Sequence, residues 1–194
     1  MRRYFLLGLL VCILAGCGTA AQSQAPQSHT TATNTDSLTQ VDWKNFTYST
    51  TCYSSTHTFQ AKDGKARDKG ILFQVYKPVY GDLTGDQRPE AAIPYSCTGA
   101  DFGGVHVFVY TGDAKHPRLL AELPASYDQA QGDALGSVDS VTINNGVIRL
   151  SGSNYGPNVP HCCPNVQIIR NYRWDGKHFA LISSKMVDKA ATTS

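Results

Sequence analysis

The sequence predicts an all-β domain with minor helix, an antiparallel sandwich or open barrel built from hairpins and stapled by disulfides. Three observations carry this. Val, Ile, Tyr, Phe and Thr recur in short alternating runs separated by Gly, Asn and Asp. Asp63-Gly64, Asn144-Asn145-Gly146 and Asp175-Gly176 each lie between two such runs, where they read as hairpin turns. Four cysteines lie beyond the N-terminal seventeen residues, an even number suited to an oxidising compartment.

The elements follow in order. A short helical turn is expected near Asp42 to Asn45. His57 to Lys62 and Lys65 to Arg67 flank the first hairpin signal. Ile71 to Tyr80, ILFQVYKPVY, reads as one strand that bends or lies at an edge because of Pro78. Ala91 to Cys97 follows, with Pro94 inside it, and then Val105 to Thr111, which alternates cleanly. A second helical turn is expected between Ala125 and Ala134. Ser140 to Ile143 and Val147 to Ser151 form the second hairpin; Val166 to Trp174 and His178 to Ser183 form the third. Trp43, Phe73, Tyr76, Phe108, Tyr110, Tyr172, Trp174 and Phe179 are the expected core aromatics.

The N-terminus reads MRRYFLLGLLVCILAGCG. Arg2 and Arg3 precede an apolar run from Tyr4 to Ile13, about half the roughly twenty residues a spanning helix needs. That is an export signal. Its end, Leu14-Ala15-Gly16-Cys17, resembles the bacterial lipoprotein signal, the lipobox. The resemblance implies cleavage after Gly16 and acylation of Cys17. Two or more chains anchor stably, each buried methylene contributing about 0.8 kcal/mol. The expected location is the extracytoplasmic face of the cell membrane; Gly18, in place of an Asp, leaves the outer membrane open where a cell has one.

Removing residues 1–16 takes away Arg2 and Arg3 and leaves 15 Lys+Arg against 15 Asp+Glu. A net charge near zero excludes the basic footprint of a nucleic-acid binder. Residues 17–40 read as the cysteine that the lipobox resemblance marks for lipidation and a Ser/Thr/Gln-rich tether whose one large aliphatic is Leu38, with an expected reach of roughly 25 Å. Residues 41–187 form a single domain, and residues 188–194 a polar tail.

Four cysteines, Cys52, Cys97, Cys162 and Cys163, allow three pairings. A vicinal Cys162–Cys163 bridge closes a strained ring. Adjacent residues on an extended chain point to opposite sides. The expectation is therefore that Cys52 and Cys97 are each bonded to one of the adjacent pair. A zinc set with His161 lacks any C-x-x-C spacing and is disfavoured.

In VYGDLTGDQRPEAAI, Asp82, Thr84 and Asp86 stand at positions 1, 3 and 5 of a calcium loop, with the Arg88 carbonyl at 7 and Glu90 at 9. The stretch resembles the acidic loops of FG-GAP and VCBS repeats. It departs from them in Thr84, in Gln87 where those loops have Gly, in Arg88, and in occurring once. The competing reading is a turn held by Asp82 and Gly85, and it is preferred. Calcium, if held, would bind weakly, at about 0.1–1 mM.

No GxSxG, HExxH or P-loop is present. The histidines outside the leader, His29, His57, His106, His116, His161 and His178, offer no recognisable base, and glutamate occurs only at Glu90 and Glu122. Convergence of Asp82, Asp86 and Asp101 leaves a calcium-dependent hydrolase as a minor reading. The favoured one is a non-catalytic binding or interaction module that meets a cell-envelope protein or glycan, with a structural envelope component as the alternative. Phe102 in TGADFGG and Tyr155 in GSNYGPNVP are the expected contact residues. HCCP at His161 to Pro164, then RNYRWDG at Arg170 to Gly176 with Phe179, and GDLTGDQRPEAAI upstream, together resemble small bacterial lipoproteins of the LppP/LprE class. That class implies a surface lipoprotein and brings no catalytic residue.

Overall fold

A computed structural model describes residues 37–52, 55–99, 104–124, 137–155 and 164–188. The predicted all-β antiparallel class is what it shows. Twelve strands form three sheets: β1 (Thr47–Cys52), β2 (Ser55–Gln60), β3 (Lys65–Asp68), β4 (Ile71–Val75), β5 (Val79–Gly81), β6 (Glu90–Thr98), β7 (Val105–Gly112), β8 (Pro117–Leu123), β9 (Ser137–Asn144), β10 (Val147–Asn154), β11 (Val166–Trp174) and β12 (Phe179–Asp188). The hairpin β1-β2 stands alone. The largest sheet runs β3-β4-β6-β7-β8 with β5 also paired to β6, and the third runs β12-β11-β10-β9.

The sheets stack as three layers, a sandwich with the large sheet in the middle. Period-2 alternation sends Ala91, Ile93 and Tyr95 of β6 to one face, with Phe108 and Tyr110 of β7 and Phe73 of β4. Against them pack Tyr48 and Phe59 of the hairpin, and Trp43 of a 3-10 turn at Trp43–Asn45 capped by Asp42. The aromatic rings stack closely, Phe59 on Phe73 at 4.5 Å and Tyr95 on Phe108 at 3.9 Å between centroids. The opposite face presents Ala92, Val107 and Val109 to Ile148, Leu150, Ile168, Tyr172 and Phe179 of the four-stranded sheet. The same alternation carries Arg170 onto that buried face, between Ile168 and Tyr172.

Two β-bulges keep the third sheet in phase. Ser151 pairs with Ser140 and Gly152 with Val138, so Asp139 is an extra residue that lets Val138 and Val141 both face inward. On β12 the extra residue is Ile182, which is thereby turned to solvent.

The turns follow the sequence in part. Asn145 and Gly146, with φ of 48° and 71°, make the two-residue hairpin between β9 and β10. Asp175 opens a four-residue turn between β11 and β12, accepting from Lys177 N and His178 N at 2.9 and 2.8 Å. Asp63-Gly64 turns the chain, but the ladder there is a single Lys62–Lys65 bridge. The full hairpin is made one turn later, at Lys69-Gly70, joining β3 to β4. The sequence reading missed β1, β8 and this turn.

Ile71 to Tyr80 is not one strand. β4 pairs with β6 up to Val75–Tyr95, β5 resumes at Val79–Ala92, and three residues, Tyr76 to Pro78, face two, Ile93 and Pro94. Pro94 lies in the interior of the largest sheet, where a missing N–H is ordinarily prohibitive. It is accommodated because the partner strand breaks opposite it, leaving only its carbonyl in use, as acceptor from Tyr76 N at 2.8 Å.

Further corrections concern the cysteines and the domain edge. Cys52 is bonded directly to Cys97, with Cα atoms 6.0 Å apart, in place of the expected crossed pairing. Both sit at the same end of facing strands, β1 and β6, so they meet across the layers without a partner from elsewhere. Cys162 and Cys163 lie outside the described residues. Leu38, assigned to the tether, is a core residue at 1% exposure within a 3-10 turn, so the ordered domain begins by Ser37. The helical turn expected between Ala125 and Ala134 falls outside the described residues, as does Cys17.

The disulfide spans 45 residues of sequence, and loop-closure entropy gives it about 4 kcal/mol. Replacing both cysteines by Ala is expected to lower the thermal midpoint by roughly 10 °C. An unchanged midpoint by differential scanning calorimetry would refute that weight.

Candidate functional site

The acidic loop begins as β5 ends. Asp82 Oδ1 accepts from Gly85 N at 2.6 Å and Oδ2 from Gln87 N at 3.0 Å. Gly85 and Gln87 both take left-handed backbone, φ 83° and 66°, so Gln87 adopts the conformation for which a glycine is usual. Asp86 accepts from Arg88 N at 2.9 Å and from its guanidinium at 2.8 and 3.0 Å. Burial pushes the Asp86 carboxyl up, but these Arg88 contacts outweigh it and hold it below the usual range.

Glu90 turns inward at 1% exposure. It accepts from Leu83 N at 2.8 Å, Thr84 N at 3.1 Å, the Thr84 hydroxyl at 3.3 Å and the Thr111 hydroxyl at 2.9 Å. Thus Thr84 and Glu90, two of the five predicted ligands, bond each other, and Asp86 bonds the residue whose carbonyl would be a third. Among the described residues no group of three or more His, Cys, Asp or Glu is placed to hold a metal ion. The loop is a turn whose carboxylates serve its own amides. It leans on the β9–β10 turn across a shallow cleft of about 540 Å3 formed by Gly81, Asp82, Gly85 and Ile143 to Gly146.

A second polar cluster ties the layers together, and the sequence reading did not find it. The Thr50 and Tyr95 hydroxyls each donate to Glu122 Oε2 at 3.0 Å and lie 2.9 Å from each other. They come from β1, β6 and β8. The signal available was a single Glu inside the apolar run LLAEL. Burial pushes the Glu122 carboxyl up, opposed by the Tyr95 and Thr50 hydrogen bonds; burial also holds the nearby His106 imidazole below its usual value. Between the hairpin and β3, His57 Nδ1 meets Asp68 Oδ2 at 2.7 Å. One carboxylate that accepts from hydroxyls on two other strands is a clamp between layers.

A groove of about 680 Å3 opens beside β5 and β9. One wall is Tyr76, Lys77, Pro78, Val79 and Pro94; the other is Val138 to Val141, with Val105 at the base. It exists because of the strand break opposite Pro94. Three residues cannot stay in the plane of a ladder that offers two partners, so Tyr76 to Pro78 leave the sheet. Tyr76, an expected core aromatic, is 42% exposed there, its hydroxyl 3.2 Å from that of Ser96. The walls touch at one end, where a Cβ on Gly81 would lie 2.4 Å from Ile143 Cγ2. Of the expected contact residues, Tyr155 is half-buried beyond the end of β10, and Phe102 lies outside the described residues.

Compared with known proteins, the chain matches no family model, no curated protein and no solved structure. Among the described residues no helix is long and apolar enough to cross a membrane.

Two outcomes follow from the carboxylates. Melts of the protein in excess calcium and in excess chelator should superpose, whereas Glu90→Ala, which strands two buried and two part-buried donors, should cost about 3 kcal/mol or more by urea denaturation. A calcium-dependent rise in midpoint that Asp82→Ala abolishes would instead make the loop a metal site. Glu122 is an acid whose folded pKa is raised. Its ionisation therefore erodes stability as pH rises from the ordinary glutamate value through the folded one. Glu122→Gln should match the wild type below that window and melt higher above it; parallel pH profiles would refute this.

Proposed function

We propose that this chain is a lipid-anchored module on the extracytoplasmic face of a bacterial cell membrane, and that it binds an envelope component without catalysing a reaction. The groove between Tyr76–Val79 and Val138–Val141 carries the reading. It is an open, mainly apolar surface with an exposed tyrosine and two exposed charged side chains, Lys77 and Asp139, on a domain whose other large aromatics are mostly buried. Convergent polar groups at a concave apolar site are what a binding surface requires. The lipobox resemblance at Leu14 to Cys17 supplies the anchor and compartment, and a disulfide such as Cys52–Cys97 persists in oxidising compartments. The resemblance to LppP/LprE-class lipoproteins agrees with this assignment. The turn geometry of the acidic loop leaves calcium out of the proposal.

Labelled palmitate should enter the wild-type protein and not Cys17→Ser, which should leave the membrane fraction. Equal labelling of the two would remove the anchor. Saturable binding to isolated envelope should fall at least tenfold with Tyr76→Asp and persist with Thr58→Asp on the outer hairpin layer. Equal binding by both would remove the groove from the function.

A further inference from the structure

Resting on that binding reading, the geometry points to the class of ligand: an extended peptide that adds as a strand to β9, with an acidic group beside Lys77.

One wall of the groove is the edge of β9; the other is the Tyr76–Pro78 segment that has left the sheet, continued at Val79 by the edge of β5. Among the described residues β9 pairs with β10 alone, and β5 with β6 alone. Each therefore turns a row of main-chain donors and acceptors away from its own sheet. The edges meet at Gly81 and Ile143, where only a hydrogen fits between them. From there the space between them opens toward Tyr76 and Val138. A wedge that leaves the edge of β9 open is shaped for an added strand.

The lining chooses peptide over glycan. Sugars are held by flat aromatic faces and dense carboxamides. This groove offers one tyrosine and no carboxamide; beside the polar Lys77, Asp139 and Ser140, the rest of its lining is Pro78, Val79, Pro94, Val105, Val138 and Val141. Small β-branched pockets beside an open edge suit alternate apolar side chains of an extended peptide, with main-chain bonds giving affinity and pockets giving selectivity. The bulge at Asp139 lets Val138 and Val141 both face inward, and moves the charge to the rim.

Charge sets the direction. Asp139 is engaged by the Ser153 hydroxyl on its own sheet. Lys77 stands exposed on the opposite wall and makes no ion pair among the described residues. A carboxylate at one end of the bound segment complements it.

The test uses the full mature chain and a display library of random linear peptides long enough to pair Val138 to Val141, the part of β9 that lines the groove. Enriched peptides should alternate apolar and polar residues and carry an acidic group at one end. They should shift the amide resonances of Val138 to Val141 and Val79. Methylating their alternate backbone nitrogens should weaken binding at least tenfold, and Lys77→Glu should reverse the charge preference. No enrichment, indifference to N-methylation, or shifts confined to other surfaces would overturn the proposal. N-acetylated sugars are titrated in parallel. Sugar binding at these amides without peptide binding keeps the binding module and discards the peptide; silence from both discards both. Concentration-dependent shifts of the β9 amides without any peptide would assign the edge to a second copy of the chain and likewise overturn it.

Discussion

The structure depends on one constraint: β6 is buried on both of its faces. Ala91, Ile93 and Tyr95 face the aromatic layer under the hairpin, while Ala92 faces the aliphatic layer against the four-stranded sheet. A strand with no solvent side has no polar alternation to signal its register. Its register is instead fixed by shape, with alanines where the layers come closest and large rings where they spread. Glu90 begins this strand and Pro94 sits at its middle. The first organises the acidic loop from within, and the second forces the break that opens the groove. Both departures from regular structure thus originate on the most confined strand.

The antiparallel class was legible because period-2 runs and Asn-Gly-type turns report local backbone chemistry. The β9–β10 hairpin came through intact for that reason. The strand break at Tyr76 to Pro78 did not, because it is a response to Pro94 on another strand, a contact between residues distant in sequence. β8, PRLLAEL, carries no clean alternation because the bulge at Leu120 shifts its phase. Leu38 looked like part of a polar tether since its burial depends on a core assembled from residues far along the chain. The cysteine pairing failed for a related reason: a preference based on the geometry of Cys162–Cys163 said nothing about where β1 and β6 would place Cys52 and Cys97.

At the site level, Asp82 and Gly85 hold the acidic loop's turn as the preferred reading had it, but the inward direction of Glu90 was not read. A side chain at position 9 of a calcium scheme and one that caps a turn from inside are identical in sequence. What separates them is Thr111 on β7, whose hydroxyl draws Glu90 inward. The chain's only two glutamates, Glu90 and Glu122, are both turned inward as acceptors of hydroxyl groups. The scarcity of glutamate was the available clue, and it pointed away from surface solvation.

The Cys52–Cys97 bond also gives the domain a load path. Tension applied at the N-terminal segment enters at Leu38 and runs along β1. A hairpin held by ring packing and side-chain contacts such as Thr50–Glu122 and His57–Asp68 would peel away strand by strand. The covalent link hands the force at Cys52 to Cys97, near the end of the doubly buried β6, so only the residues before Cys52 can be drawn out. A domain tugged through a tether would stretch its first layer and keep its other two sheets, and the groove between them, in register.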